Sequence, residues 1–267
     1  MKTTSWLVLI LVSSTLITGS WWARAAVEES VAAYSGAWSF EMGELPPWLP
    51  VGFQGQLAQL KEIPQLVPLR SARWRELCTI AMSANPWVER VLALERQGLC
   101  VEFEAQLARP VVALRLREHF ALVDAERRII DLQPGFELDP AWGIPYYSPL
   151  SAPPRVAPGD RLEHEEFVEL LALVQALRGA RAFELWSDRL PEVRARLEAD
   201  GSLLWYLCCS TGMEAAWGRS PGSRRICPLS VSTKIKNLSE LMSNWDRLNG
   251  VRLVSLYQEP RALVVVR

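Results

Sequence analysis

The chain has 267 residues, 49% of them apolar, and a formal net charge of −1. This length allows one large domain or two small ones plus an anchor, and the composition is that of a folded globular protein. The near-neutral charge gives no electrostatic basis for binding nucleic acid. Two histidines, His119 and His164, are too few for a His-rich metal site.

The first 26 residues predict a membrane anchor with a minimal cytoplasmic tail. Residues 3–23 carry no charge, and roughly 21 helical residues span about 31 Å, the thickness of a hydrocarbon core. Trp21 and Trp22 lie at the far end, where aromatic rings favour the membrane–water interface. A cleaved signal peptide is the alternative, since Ala23-Arg24-Ala25 is an A-x-A-like site. Either way, the rest of the chain is expected outside the cytoplasm.

After a linker at 27–36, residues 37–108 are expected to form a small domain. Its predicted order is strand, helix, helix, strand, strand, because helical and alternating patterns follow one another in that sequence. Leu99–Ala108 alternates clearly, with Phe103 and Leu107 on the apolar face. The predicted elements are an edge strand Ala37–Met42, helices Phe53–Leu60 and Ser71–Ser83, and strands Trp87–Arg96 and Leu99–Ala108.

Residues 109–267 are expected to form a mostly antiparallel β domain with two longer helices. The strand predictions rest on period-two alternation, and the helix predictions rest on apolar stripes and capping residues. The stretch Gln133–Pro158 shows no periodicity and is interpreted as a surface excursion. The predicted strands are Val111–Arg117, Phe120–Asp124, Arg128–Asp131, Leu203–Cys209, Met213–Trp217, Val251–Tyr257 and Arg261–Arg267, and the predicted helices are Asp160–Gly179, Pro191–Leu197 and Thr233–Leu248.

Several of these elements carry specific expectations about side chains. In the strand after Arg109-Pro110, the alternation places Val112 and Leu114 inward and Ala113 outward. Asp160 and Glu163 form a D-x-x-E capping box at the start of the best helix. The apolar stripe of that helix consists of Phe167, Leu170, Leu171, Val174 and Leu177.

Two short patterns resemble catalytic motifs, and neither is complete. Gly218–Gly222 matches G-x-S-x-G, but Pro221 has no N–H for an oxyanion hole, so a turn is expected. Glu163–Glu166 resembles the start of H-E-x-x-H, but Val168 occupies the position of the second histidine. A solvated acidic helix N-terminus is expected there instead. The chain is therefore interpreted as non-catalytic, with no metal, no cofactor and no small-molecule substrate.

The five cysteines leave two redox states open. An odd number means that at least one thiol cannot pair within the chain. Cys208 and Cys209 are adjacent and would point to opposite faces of a strand, so they are not expected to chelate one metal together. One or two disulfides in an oxidising compartment, or ordinary buried thiols, both fit this pattern.

Four short motifs follow one another along the chain. They are Pro86-Trp87-Val88 with Val91, Arg109-Pro110-Val111, Leu122-Val123-Asp124, and Val254-Ser255-Leu256-Tyr257 before a valine-rich last strand. Taken in this order, they resemble the FtsQ/DivIB family of bacterial cell-division proteins. In that family a single anchor helix precedes a POTRA domain (strand-helix-helix-strand-strand) and a mostly β domain whose final strands dock partners. The resemblance thus implies an α+β fold with a transmembrane helix, a POTRA-like domain and a β domain.

The resemblance also implies a function and partners. The protein would be a divisome scaffold in the plasma (inner) membrane, single-pass and with its bulk extracytoplasmic, at the division septum. Its partners would be the division proteins FtsB and FtsL (DivIC and FtsL in some lineages), bound by β-strand addition. The implied partner-binding residues are Tyr257, Arg261, Leu263, Val264, Val265, Val266 and Arg267. The alternative for Arg261–Arg267 is an ordinary interior strand.

Two other classes of protein remain as alternatives to the scaffold. One is another POTRA-bearing envelope transport or assembly protein, which would usually carry repeated POTRA units or a membrane barrel. The other is a secreted enzyme whose site is assembled from residues distant in sequence. Neither alternative has a motif in this chain that favours it.

Overall fold

The structure is a computed structural model that describes residues 39–42, 46–49, 72–97, 100–135, 137–150, 155–179, 189–209, 212–225, 227, 229–245 and 251–257. These residues have an α+β fold, as the sequence predicts, and they form three α-helices and two sheets. They divide into two compact units. The first contains the described residues 39–42, 72–82, 91–97 and 100–105, and the second contains 46–49, 83–90 and the described residues from 106 onward.

The first sheet has three strands in the order β1-β3-β2. Strand β1 lies at its edge and runs parallel to β3, so the predicted edge strand is confirmed. In β3, Phe103 is buried while Glu104 and Gln106 are exposed, as the alternation predicts. The elements are β1 (Ser39–Met42), α1 (Trp74–Ser83), β2 (Val88–Gln97) and β3 (Cys100–Leu107). The predicted helix Phe53–Leu60 lies outside the described residues.

The second sheet has eight strands in the order β11-β10-β9-β8-β7-β4-β5-β6. Its strands are β4 (Val112–Arg115), β5 (His119–Val123), β6 (Ile129–Pro134), β7 (Tyr146–Tyr147), β8 (Glu192–Leu197), β9 (Leu203–Cys208), β10 (Glu214–Gly218) and β11 (Leu253–Ser255). Pairs β4–β5, β5–β6, β8–β9 and β9–β10 are antiparallel, whereas β4–β7, β7–β8 and β10–β11 are parallel. The sheet is therefore mixed.

Helices α2 (Glu165–Gly179) and α3 (Val231–Ser243) pack on this sheet in one apolar core. All five residues of the predicted stripe on α2 are buried in it. The sheet contributes alternate residues of its strands, among them Val193, Trp205 and Trp217. Burial of apolar area, at about 25 cal/mol per Å², is what holds these layers together.

The prediction that Ala113 points outward to solvent is wrong, because the sheet is covered on both faces at this point. Ala113 alternates with the core residues Val112 and Leu114, yet its relative exposure is also 0%. Phe120, Leu122 and Ile130 on β5 and β6 alternate with core residues in the same way and are also buried. Strands buried on both faces read as apolar runs rather than alternation.

The stretch Gln133–Pro158 is not the surface excursion that its lack of periodicity predicts. It contains a short 3₁₀-helix, Pro140–Trp142, in which the Asp139 side chain accepts a hydrogen bond from the Ala141 N–H. It also supplies β7, which lies in the middle of the sheet between β4 and β8. A two-residue strand is too short to show a period, so sequence reasoning had no signal for it.

The predicted helix Pro191–Leu197 is also wrong, because this segment forms strand β8. Val193 and Ala195 face the core, while Arg194 and Arg196 point to solvent. Ala, Arg, Leu and Glu are good helix formers, but pairing with β7 and β9 overrides that weak preference.

The two long helices exist, and the first ends at Gly179 as predicted, but their other predicted ends are wrong. Helix α2 begins at Glu165 rather than Asp160, because Gly159 and Asp160 exchange backbone hydrogen bonds with Ile129 of β6. The Asp160 carboxylate accepts from the Ala157 N–H, so no capping box forms. Helix α3 begins after the N-cap Ser230 and ends at Ser243, with Asn244 as C-cap, short of the predicted Leu248.

Cys78, Cys208 and Cys227 are free thiols. Burial raises the pKa of the Cys208 thiol to about 12, which keeps it protonated at neutral pH. Of the two redox states left open by the sequence, these three residues adopt the thiol state.

Candidate partner-binding edge

Of the seven residues predicted to bind a partner, the structure describes Tyr257. The other six, Arg261, Leu263, Val264, Val265, Val266 and Arg267, lie outside the described residues. The candidate site is therefore built from β11 and Tyr257, which lead directly to the predicted final strand. We call the side of β11 that faces away from β10 the C-terminal edge, defined by Leu253, Ser255 and Tyr257.

Strand β11 is the terminal strand of the eight-stranded sheet and has one neighbour among the described strands, β10. The ladder between them is parallel and begins with a hydrogen bond from the Glu214 N–H to the Arg252 carbonyl (2.8 Å). It ends with one from the Leu256 N–H to the Ala216 carbonyl (2.9 Å). Even-numbered residues of the segment thus direct their backbone groups towards β10.

Residues Leu253 and Ser255 direct their backbone groups the other way, because successive residues of a strand point their N–H and C=O groups to opposite edges. Such an edge is a template that an incoming extended segment can complete. The alternating Leu253-Val254-Ser255 lies within the predicted strand Val251–Tyr257. Sequence reasoning did not select Leu253 or Ser255 as binding residues.

The side chains fix β11 on one face and leave a polar group unsatisfied. Val254 and Leu256 are buried in the core, and the Asn237 amide of α3 donates to the Leu256 carbonyl (3.1 Å). The buried Ser255 hydroxyl oxygen has no hydrogen-bond partner among the described residues. Leaving a buried hydroxyl unpaired is unfavourable.

Tyr257 is positioned by the glycine that ends β10. Gly218 has φ +78°, and a Cβ on it would lie 2.7 Å from the Tyr257 ring. Only glycine satisfies both the left-handed backbone and this close approach. Burial raises the pKa of the Tyr257 phenol, and the nearby Tyr206 and Glu198 raise it further. The ring therefore stays neutral beside the edge.

The motif residues that resemble catalytic ones have structural partners. Ser220 of the G-x-S-x-G match lies in the predicted turn and is buried. Its hydroxyl donates a hydrogen bond to the Glu169 carbonyl of α2 (2.6 Å). The burial of Glu166 contradicts the solvated helix N-terminus, since its carboxylate is 4% exposed. That carboxylate accepts from the Tyr147 hydroxyl (2.5 Å) and the Leu150 N–H (3.0 Å). Glu163 and Glu165 remain exposed.

No protein-family model and no curated protein matches the chain. Within the described part of the chain, no helix is long and apolar enough to cross a membrane; the predicted anchor at 1–26 lies outside that part. The same residues contain no group of three or more His, Cys, Asp or Glu side chains arranged to hold a metal ion.

Proposed function

We propose that the protein is a non-catalytic scaffold of the bacterial division machinery that recruits partners by β-strand addition at its C-terminal edge. The observation that carries this proposal is the position of β11. It ends the eight-stranded sheet, directs the backbone of Leu253 and Ser255 away from β10, and leads directly into the predicted strand Arg261–Arg267. Added strands gain affinity from main-chain hydrogen bonds and selectivity from alternate side chains.

The order of the elements supports the same proposal. A three-stranded sheet with a helix precedes a larger mixed sheet with two long helices. This is the order that the resemblance to the FtsQ/DivIB family implies for a POTRA-like domain followed by a β domain. The proposed partners are accordingly division proteins of the FtsB and FtsL type, reached from a plasma-membrane anchor at residues 1–26.

The test is deletion of Arg261–Arg267, followed by pull-down of the FtsB- and FtsL-type proteins from the same organism. We expect capture to be lost while the far-UV circular dichroism and the thermal transition of the remaining chain are kept. Unchanged capture by the truncated protein would contradict strand addition at this edge.

A point variant makes the same test without shortening the chain. Ser255→Pro removes an N–H that points away from β10, so the β10–β11 ladder is kept while the edge loses one donor. We expect weaker capture. The matched control is Leu92→Ser on β2, an exposed leucine in the first unit, which should leave capture unchanged.

Localisation separates the scaffold from the two other classes. A fluorescent fusion should concentrate at the septum, and depletion should give filamentous or unseparated cells. A uniform envelope distribution with normal division would favour a transport or assembly protein. A mature N-terminus at Ala26, read by mass spectrometry, would remove the anchor on which the scaffold depends.

A further inference from the structure

A cavity of about 520 Å³ opens in the second unit, and Leu253, Ser255 and Tyr257 of the C-terminal edge are not among its lining residues. Four segments distant in sequence line it: the segment after β7, the N-terminal part of α2, the turn between β8 and β9, and the loop after β10. We call it the acidic cavity. Its lining residues that matter here are Leu150, Glu166, Glu169, Leu197, Arg224 and Arg225.

Two carboxylates one helical turn apart, Glu166 and Glu169, form the deep part of the cavity. Both residues are at least nine-tenths buried. One oxygen of Glu169 accepts from the Trp205 indole N–H (2.9 Å), and the other accepts no hydrogen bond among the described residues. Nor does Glu169 make an ion pair among those residues. A largely buried carboxylate with a single donor favours an incoming second donor or a cation.

The cations at the rim are already paired. Arg224 Nε lies 3.1 Å from Glu165, and Arg225 lies 4.0 Å from Asp200. The lining holds four carboxylates and two arginines, and these two pairs engage Glu165 and Asp200. Glu169 has no such pair among the described residues, so its negative charge is available inside the cavity.

Two exposed leucines line the cavity beside the charged residues of its rim. Leu150 and Leu197 are 50% and 68% exposed, which places them among the exposed large hydrophobic residues of the described chain. An acidic floor next to exposed leucines is complementary to a side chain with an aliphatic stem and a cationic head. Guanidinium suits the partly buried position better than ammonium, because it is more weakly hydrated and can donate to two carboxylates at once.

We propose that the acidic cavity binds an arginine side chain of a protein partner. The aliphatic stem packs between Leu150 and Leu197, and the guanidinium donates to the Glu169 oxygen that has no other donor. This contact uses none of the residues of the C-terminal edge. It would give the protein a second binding site for a partner, and binding there would not depend on strand addition.

Saturation-transfer-difference NMR on the full chain tests the proposal, with N-acetyl-arginine N-methylamide as the probe. We expect saturable binding, and binding at least about tenfold weaker for the citrulline analogue, which has the same shape and no charge. Equal binding of the two probes, or no binding of the arginine probe, would overturn the proposal. Spermidine forms a third arm, and tighter binding of this free polyamine would overturn the assignment to a protein side chain.

Two variants locate the binding. Glu169→Gln keeps an oxygen for the Trp205 indole and removes the charge, so binding should weaken about tenfold. Leu197→Ser changes a side chain that is already exposed, and should weaken binding severalfold without affecting the fold. Glu104→Gln, an exposed position on β3, is the matched control and should bind as the wild type does. If both cavity variants bind the arginine probe as well as the wild type does, the probe does not bind in the acidic cavity.

The protein lacking Arg261–Arg267 separates this proposal from the proposed function. It should bind the arginine probe as well as the full chain does, even where partner capture is lost. Loss of probe binding on truncation would show that the cavity does not act independently, contrary to the proposal.

Discussion

Charged side chains occupy two contrasting settings in the second unit. On the solvent face of the sheet, Arg194 pairs with Glu192 (2.6 Å) and Arg196 with Glu214 (2.6 Å), and both guanidinium side chains are at least 50% exposed. On α2 and α3, Glu166 and Lys234 are buried and bonded mainly to neutral donors and acceptors. The distances are similar in the two settings, but the energies are expected to differ.

The difference follows from solvation. An exposed ion pair gains little, because water and salt screen it and two long side chains lose freedom, so its contribution is about 0–1 kcal/mol. A buried charge has given up its hydration and depends on each remaining partner. Removing one such partner costs about 1–3 kcal/mol or more. The distances alone therefore do not tell which of these contacts contributes more to stability, whereas the burial of the side chains does.

The largest expected effect is that of Tyr147→Phe, which removes only the hydroxyl donating to Glu166. The carboxylate keeps its burial and loses a donor, so we expect the free energy of unfolding to fall by about 2 kcal/mol in urea denaturation. Tyr206→Phe is the control, since that ring contributes packing contacts and a cation–π contact with Arg196. Equal losses in the two variants would contradict the contrast between the two settings.

The contribution of Lys234 to the free energy of unfolding should depend on pH. Its relative exposure is 0%, and its ammonium donates to Cys227 Sγ (2.8 Å) and the Arg219 carbonyl (3.0 Å). Burial lowers the pKa of Lys234 below the ordinary 10.5. Between the lowered pKa and 10.5, the unfolded chain binds more protons than the folded one. The cost of burying the charged lysine therefore falls, and the free energy of unfolding increases, as pH rises.

The comparison that isolates this effect is Lys234→Met in a Cys227→Ser background, where no thiol titrates next to the lysine. The stability of the protein that keeps Lys234, relative to the protein with the methionine substitution, should rise between pH 7 and 10.5, with a slope of at most about 1.4 kcal/mol per pH unit. Urea denaturation over this range measures it. A constant or falling difference would show that the burial of Lys234 does not shift its pKa downwards.

Much of the fold follows from local patterns. The strands with clear alternation, such as Cys100–Leu107, and the helix with a continuous apolar stripe at Phe167–Leu177 were predictable, because periodicity reports one-sided burial. The predictions fail where burial is two-sided, as at Ala113, or where a strand has two residues, as at Tyr146–Tyr147. In both cases the environment that decides the structure comes from distant segments.

The two candidate sites also differ in whether local patterns could predict them. The strand at Val251–Tyr257 could be predicted from its own sequence, and Leu253–Ser255 within it forms β11. The acidic cavity could not be predicted, since it joins residues near 166, 200 and 224. Glu166 and Glu169 look like ordinary acidic residues of a helix N-terminus. Only the packing of α2 against Tyr147 and Trp205 takes them out of water.

The smallest effect is expected on the solvent face of the sheet, at Arg196. Its guanidinium reaches Glu214 and lies 4.4 Å from the centroid of the Tyr206 ring, yet the side chain is 54% exposed. Because water replaces both contacts, Arg196→Ala should lower the free energy of unfolding by only about 0.5 kcal/mol, and less at high salt. Urea denaturation at low and high ionic strength measures this, with the exposed Arg117→Ala as control. A salt-independent loss of about 2 kcal/mol or more would be as large as the loss expected for a buried contact. Solvation would then not explain the difference between the two settings.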